Sequence, residues 1–116
     1  MEKMEYQNKD WGKSTCLGVY NDTMIWQAFT KRGGKCSIHH HEFDYNEILV
    51  VTGKIEINYY KSSQHISRPI NKVVLLPGHR VTIDPKVVHQ FEVLESGIIM
   101  ELYWRDHEFD IVRHND

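Results

Sequence analysis

The feature that most constrains this chain is its punctuation. Apolar and polar residues alternate in short stretches, and turn-forming residues interrupt them every eight to twelve positions. The alternation runs through residues 13–20, 24–30, 36–41, 47–52, 54–60, 73–76, 81–84, 87–94 and 98–104. Between these stretches stand Asn21-Asp22, Lys31-Arg32-Gly33-Gly34, Gly53, Lys61-Ser62-Ser63-Gln64, Pro77-Gly78, Pro85 and Glu95-Ser96-Gly97. Strand side chains point alternately to opposite faces, so each stretch can bury one face and wet the other. Gly53 reads as the turn of a hairpin joining 47–52 to 54–60. Only residues 105–113 could carry a turn or two of helix. About nine short strands of this kind predict an all-β fold closed into a sandwich or barrel, because closure removes the exposed strand edges.

The chain has 116 residues, 41% of them hydrophobic and 26% charged, which fits one globular domain and excludes wholesale disorder. Residues 1–10 are polar and form an N-terminal extension, and 11–116 form a single domain. Fourteen basic and sixteen acidic residues leave a net charge of −2. With no Lys/Arg run, neither a nucleic-acid footprint nor a membrane-surface patch is expected. The longest aliphatic runs, 48–51 and 73–76, are far too short to span a bilayer. Cys16 and Cys36 form no C-x-x-C pair and read as buried free thiols in a reducing compartment. The polar N-terminus is unlike a secretion signal, so a cytoplasmic location is expected.

Eight histidines are the unusual count, and His39, His40 and His41 are consecutive. On a strand His39 and His41 share one face and His40 takes the other. His89 shares the parity of Val81, Ile83, Phe91 and Val93, so it points inward if that apolar face is the interior. Three imidazoles converging inside a barrel could hold a divalent Zn, Mn, Fe or Ni ion. The bland reading is a histidine-rich surface turn. Metal-bound imidazoles must be neutral, so binding is expected to weaken as pH falls near 6.5. Glu47 is a candidate fourth ligand. A tight hairpin at Gly53-Lys54 would turn Asn46 inward and Glu47 outward, whereas a bulge or longer loop would reverse them. Both assignments stay open at this stage.

Glu101 shares its parity with Ile99 and Tyr103, so it is either a buried acid lining the interior or an outer-face residue. Arg113 could bind an anion at the barrel mouth or form a surface pair with Asp110 or Asp116. Phe109, Ile111 and Val112 are expected to pack the C-terminal segment back on the barrel. Trp11, Trp26 and Trp104 read as core or rim packing, and His79, His107 and His114 as solvated.

Gly33, five residues, His39-x-His41, an acidic residue at 47 and then Gly53 resemble the first cupin motif. Pro85, His89 and Phe91 resemble the second. The resemblance implies a double-stranded β-helix, or jelly-roll barrel, with a short C-terminal tail and one divalent metal inside. A longer series runs from Trp11-Gly12 through Ser37-Ile38-His39-His40-His41, Val50-Val51-Thr52-Gly53 and Ile83-Asp84-Pro85 to Met100-Glu101-Leu102 and Asp110-Ile111-Val112-Arg113. It is similar to the C-terminal isomerase domain of type II phosphomannose isomerases, over roughly residues 10–116. That resemblance implies a sugar or sugar-phosphate substrate, with aldose–ketose isomerisation aided by the metal. Glu101 or Glu47 could be the base, with His40 a weaker candidate because its parity points away, and Arg113, standing near the cavity mouth, could bind a phosphate with Arg68, Arg80 or Lys86. The sequence departs from the family in lacking a Tyr-Gly-Arg after its last aspartate and a preceding guanylyltransferase domain. It also departs in placing Asn46 where the family has its glutamate. Cupins also serve as non-catalytic ligand-binding barrels and as three-histidine iron dioxygenases, and these remain alternatives. A homodimer is expected, since an isologous two-fold is the commonest symmetry for small domains.

Overall fold

The computed structural model describes residues 3–104 and 110–115. Among these residues there are nine strands and no helix. They are β1 (Gln7–Lys9), β2 (Gly12–Tyr20), β3 (Thr23–Thr30), β4 (His39–His41), β5 (Tyr45–Tyr59), β6 (Asn71–Leu75), β7 (Arg80–Ile83), β8 (His89–Trp104) and β9 (Ile111–Arg113). All pair antiparallel. One path runs β1-β2-β3-β8-β4-β9, while β5 joins β6, β7 and β8. The result is the curled all-β barrel that the alternation predicts. The helical turn considered for 105–113 falls partly on 105–109, outside the described residues; its end, Ile111–Arg113, is a strand. No helix among the described residues is long and apolar enough to cross a membrane.

Two sequence turns do not turn. Gly53 lies inside β5, and Glu95-Ser96-Gly97 lie inside β8. Instead of folding back on itself, β5 pairs along its length with β8, from Tyr45–Trp104 to Tyr59–His89. The register slips between Val50 and Ile55, which marks a bulge. Gly53 has φ +84°, and a Cβ there would lie 2.7 Å from the Glu95 carbonyl oxygen. A Cβ on Gly97 would lie 2.1 Å from the Thr52 carbonyl oxygen. The two glycines therefore let two bent strands approach each other closely, rather than reversing either one.

The bulge also resets parity. Before it, Asn46, Ile48 and Val50 are buried; after it, Ile55 and Ile57 are. The main core gathers Ile48, Val50, Ile55 and Ile57 with Ala28, Leu75, Ile83, Phe91, Val93 and Ile99. Each fully buried aliphatic chain is worth about 1.5–3 kcal/mol relative to exposure. Among the buried polar residues are His39, His41, Asn46, His89 and Glu101. Burying polar groups without compensating partners is costly, so their arrangement needs a chemical reason.

Candidate functional site

Residues directly opposite on antiparallel strands project to the same side, so the ladder assembles the site in rows. Arg113 pairs with His39, His39 with His89, and His89 with Tyr59, which makes one row across β9, β4, β8 and β5. A second row runs Trp26, Glu101, Ile48. A third runs Met24, Tyr103, Asn46, Ile83. Three short stretches far apart in sequence thus bring their chemistry into one interior.

His39, His41 and His89 each present a ring nitrogen, and these three atoms lie within 4.8 Å of one another. The ring centroids are 4.5 Å apart for His39–His89, 5.2 Å for His39–His41 and 5.8 Å for His41–His89. The other nitrogen is hydrogen-bonded from outside in His39 and His89 and faces a carboxylate in His41. His39 Nδ1 donates to the Ser37 carbonyl at 2.8 Å, and His89 Nδ1 donates to the Val87 carbonyl at 2.8 Å. His41 Nδ1 faces the Asp110 carboxylate at 3.4 Å. This sets Nδ1–H tautomers and leaves the Nε2 lone pairs for the interior. His89 Nε2 is buried with no hydrogen-bond partner among the described residues.

Burial is the largest influence on all three rings. It lowers the His39 pKa to about 2, helped by the neighbouring His89 and His41. It lowers His41 to about 4 against the pull of Asp110, and His89 to about 4 against its bond to Val87. At neutral pH these are three neutral imidazoles aimed at one point. That donor set fits a divalent metal, with Zn–N bonds of about 2.0–2.1 Å as the reference. Proton competition in the folded protein accordingly sets in below the 6.5 of free imidazole.

Glu47 is not brought to this cluster. Its side chain pairs with Arg80 across the β5–β7 ladder, Oε1 to Nη1 at 3.2 Å. Strand alternation is the reason: Asn46 is the buried neighbour, 1% exposed, and its Nδ2 donates to the Leu102 carbonyl at 3.4 Å. Of the two assignments left open by the sequence, the structure has Asn46 inside and Glu47 outside, even though the expected hairpin is absent.

A cavity of about 480 Å³ opens beside the histidines and is lined by His39, His89, Asn46, Glu101, Tyr103 and Arg113, among others. Glu101 is buried and accepts a hydrogen bond from the Tyr103 hydroxyl. Burial pushes the Glu101 carboxyl up, while its bonds with Tyr103 and Asn46 pull it back. Desolvation and the adjacent Glu101 carry Tyr103 well above the ordinary phenol value. The parity that flagged Glu101 also passes through Tyr103, so this partner was legible but given no role. The cationic lining residues are Lys9, Lys35 and Arg113. Lys9 belongs to β1, within the segment set apart by sequence as an extension, and nothing in its polar composition signals that placement.

His40 points away from the cluster, as alternation requires. Its Nδ1 lies 2.7 Å from His114 Nε2, and its Nε2 lies 2.6 Å from Glu42 Oε1. His114, expected to be solvated, stacks on His40 with ring centroids 4.9 Å apart. Trp11 packs edge-on against Phe91 at 5.0 Å and, with Trp26, lines the cavity. Both cysteines are free thiols, but Cys16 is exposed rather than buried. Cys36 lines the cavity and accepts the Phe91 N–H at 3.1 Å.

No protein-family profile and no curated protein matches the chain. Solved structures do match. An RmlC-like cupin from Shewanella frigidimarina superposes with a TM-score of 0.72 at 19% identity, over 91% of this chain and 87% of that one. KdgF from Halomonas sp. gives 0.72 at 20% identity, over 86% of each chain. The capsular polysaccharide assembling protein CapF from Staphylococcus aureus gives 0.78 at 18% identity, over all of this chain but only 33% of that one. At these identities the likeness is one of fold. The chain has the cupin β-barrel fold, and its three-histidine group occupies the interior of that barrel.

Proposed function

We propose that the protein is a small metal-dependent isomerase that interconverts the aldose and ketose forms of a sugar or sugar phosphate. One observation carries the reading: a buried carboxyl, Glu101, lines the same cavity as His39 and His89, two of the three clustered imidazoles. His39, His41 and His89 are the ligands in this proposal, and Zn, Mn, Fe or Ni is the ion. When bound, such an ion supplies Lewis acidity toward a carbonyl and its neighbouring hydroxyl.

The rest is the work of the chain. Glu101 takes the proton from the carbon beside the carbonyl and returns it to the former carbonyl carbon, while the proton of the neighbouring hydroxyl passes to the carbonyl oxygen, so the substrate goes through an enediol with no net gain or loss of atoms. Burial raises the basicity of its carboxylate toward what that transfer needs, and the Tyr103 hydroxyl and Asn46 hold it in place. Arg113, which pairs with His39 across the ladder and lines the cavity, would receive a phosphate. The cavity volume of about 480 Å³ lies within the usual range for small-molecule sites. The domain acts as one unit that includes β1, in the cytoplasm and as a homodimer.

The test is an anaerobic screen of aldose–ketose pairs and their phosphates with metal-loaded protein in D₂O, followed by NMR. Conversion accompanied by deuterium at the carbon beside the carbonyl is expected. Conversion of no pair, with no exchange, refutes the isomerase reading. In a parallel aerobic assay, iron-dependent oxygen uptake would replace it with an oxygenase.

A further inference from the structure

We propose that Asp110 is a positioning residue that fixes the tautomer and aim of His41, so that the C-terminal strand is part of the metal site. The inference rests on the metal reading above but concerns a residue outside the three ligands. Asp110 uses both carboxylate oxygens. Oδ1 faces His41 Nδ1 at 3.4 Å. Oδ2 accepts the backbone N–H of Phe43 at 2.5 Å and of Asp44 at 3.2 Å.

The carboxylate is therefore clamped by the turn that leaves β4, while the imidazole stands on β4 itself. The pair is shielded: the His41 side chain is 1% exposed and that of Asp110 12%. The segment bearing Asp110 is held independently. Ile111 pairs with His41 and Arg113 with His39. The His114 N–H donates to the Ile38 carbonyl at 2.8 Å, and the Ile38 N–H donates to Asn115 Oδ1 at 2.5 Å.

An acceptor beside Nδ1 keeps the proton there and leaves the Nε2 lone pair directed inward, which strengthens a metal-ligating imidazole. His39 and His89 obtain the same service from backbone carbonyls of their own local chain. His41 obtains it from across the fold. The segment that orients this ligand continues into β9, whose Arg113 lines the cavity beside His39.

The test compares wild type, Asp110→Asn and Asn115→Ala. Asparagine can still accept the two amide bonds but turns an N–H toward His41. In metal-free wild type, ¹⁵N imidazole NMR should show His41 as the Nδ1–H tautomer, and Asp110→Asn should lose that preference. Zn²⁺ affinity, read by competition with a chromophoric chelator, should fall about 10–100-fold in Asp110→Asn. Asn115→Ala loosens the same strand without touching His41 and should change affinity less than threefold. A wild-type His41 in the Nε2–H tautomer overturns the proposal. So does an unchanged affinity in Asp110→Asn, or an equal loss in Asn115→Ala. If wild type takes up no Zn²⁺, the metal reading fails, and the tautomer measurement alone decides the role of Asp110.

Discussion

Glu101 and Arg113 share one cavity lining yet differ in burial, and that difference predicts how each should respond to substitution. Glu101 is buried and hydrogen-bonded, whereas Arg113 is exposed on the last strand. Glu101→Gln keeps the shape and the contact with Tyr103 but removes the carboxylate proposed as the base. Turnover should fall by about 10²–10⁴-fold with metal content unchanged, as steady-state kinetics and elemental analysis of the same sample would reveal. Metal lost along with activity would place Glu101 among the ligands instead. Arg113→Ala should raise KM for a phosphorylated substrate about tenfold or more while the melting temperature stays nearly constant. If the activity loss tracks unfolding, the arginine is structural. Asp110, one of the surface partners considered for Arg113, instead faces His41. At this scale the sequence was readable wherever parity alone decides direction: His39, His41 and His89 on one side, His40 on the other, and Glu101 in line with Ile99 and Tyr103. It was unreadable for Asp110, because the contact spans the fold from a segment whose pattern only says that it packs somewhere.

Turn chemistry misleads at the level of strands, and Gly53 and Gly97 explain why. A reversal and a bulge both ask for a residue without a Cβ, so composition cannot separate them. The structure uses both glycines where β5 and β8 bend against each other, and the two predicted pairs of short strands become two long ones. Asn46 still ends up inside, because the bulge shifts parity by the same step that the hairpin would have supplied. The close approach makes a stability prediction. The Cβ of Gly97→Ala would meet the Thr52 backbone oxygen at 2.1 Å, and a backbone atom in the central ladder cannot swing away. The variant should lose about 2–4 kcal/mol, read from the urea midpoint at constant slope. Gly78→Ala is the control. Its φ is +88° but nothing lies within 4 Å, so it should lose only the left-handed conformational cost of about 1–2 kcal/mol. Equal losses for the two would mean that the ladder yields more easily than its geometry requires.

The molecule as a whole buries His39, His41 and His89 in a common interior, and that couples its stability to pH. Free imidazole titrates near 6.5, whereas His39 is held at about 2 and His41 and His89 at about 4. Above 6.5 the rings are neutral in both the folded and the unfolded chain, and the fold keeps its full stability. As pH falls from 6.5 toward 4, the unfolded chain takes up protons that the folded chain refuses. The unfolded state then binds more protons, so stability declines with falling pH, by up to about 1.4 kcal/mol per pH unit for each ring. Glu101 acts in the opposite sense over part of this range. Its raised pKa means that the folded chain keeps a proton the unfolded one has released, a contribution present below its ordinary value and lost as pH rises through the raised one. Three rings outweigh one carboxyl, so the net slope should follow the histidines. In chelator-treated protein the urea midpoint should therefore drop steeply between pH 7 and 4.5. Replacing His39, His41 and His89 together by Gln should flatten that dependence, because glutamine has no proton to gain. With saturating Zn²⁺ the wild type should gain stability at pH 7, by RT ln(1 + [Zn]/Kd), and that gain should shrink only as the pH approaches about 4, where protons begin to compete for His41 and His89 in the folded chain. A wild-type midpoint that is flat from pH 7 to 4.5, or a triple variant as steep as wild type, would show that the three rings are not the neutral interior cluster that the barrel encloses.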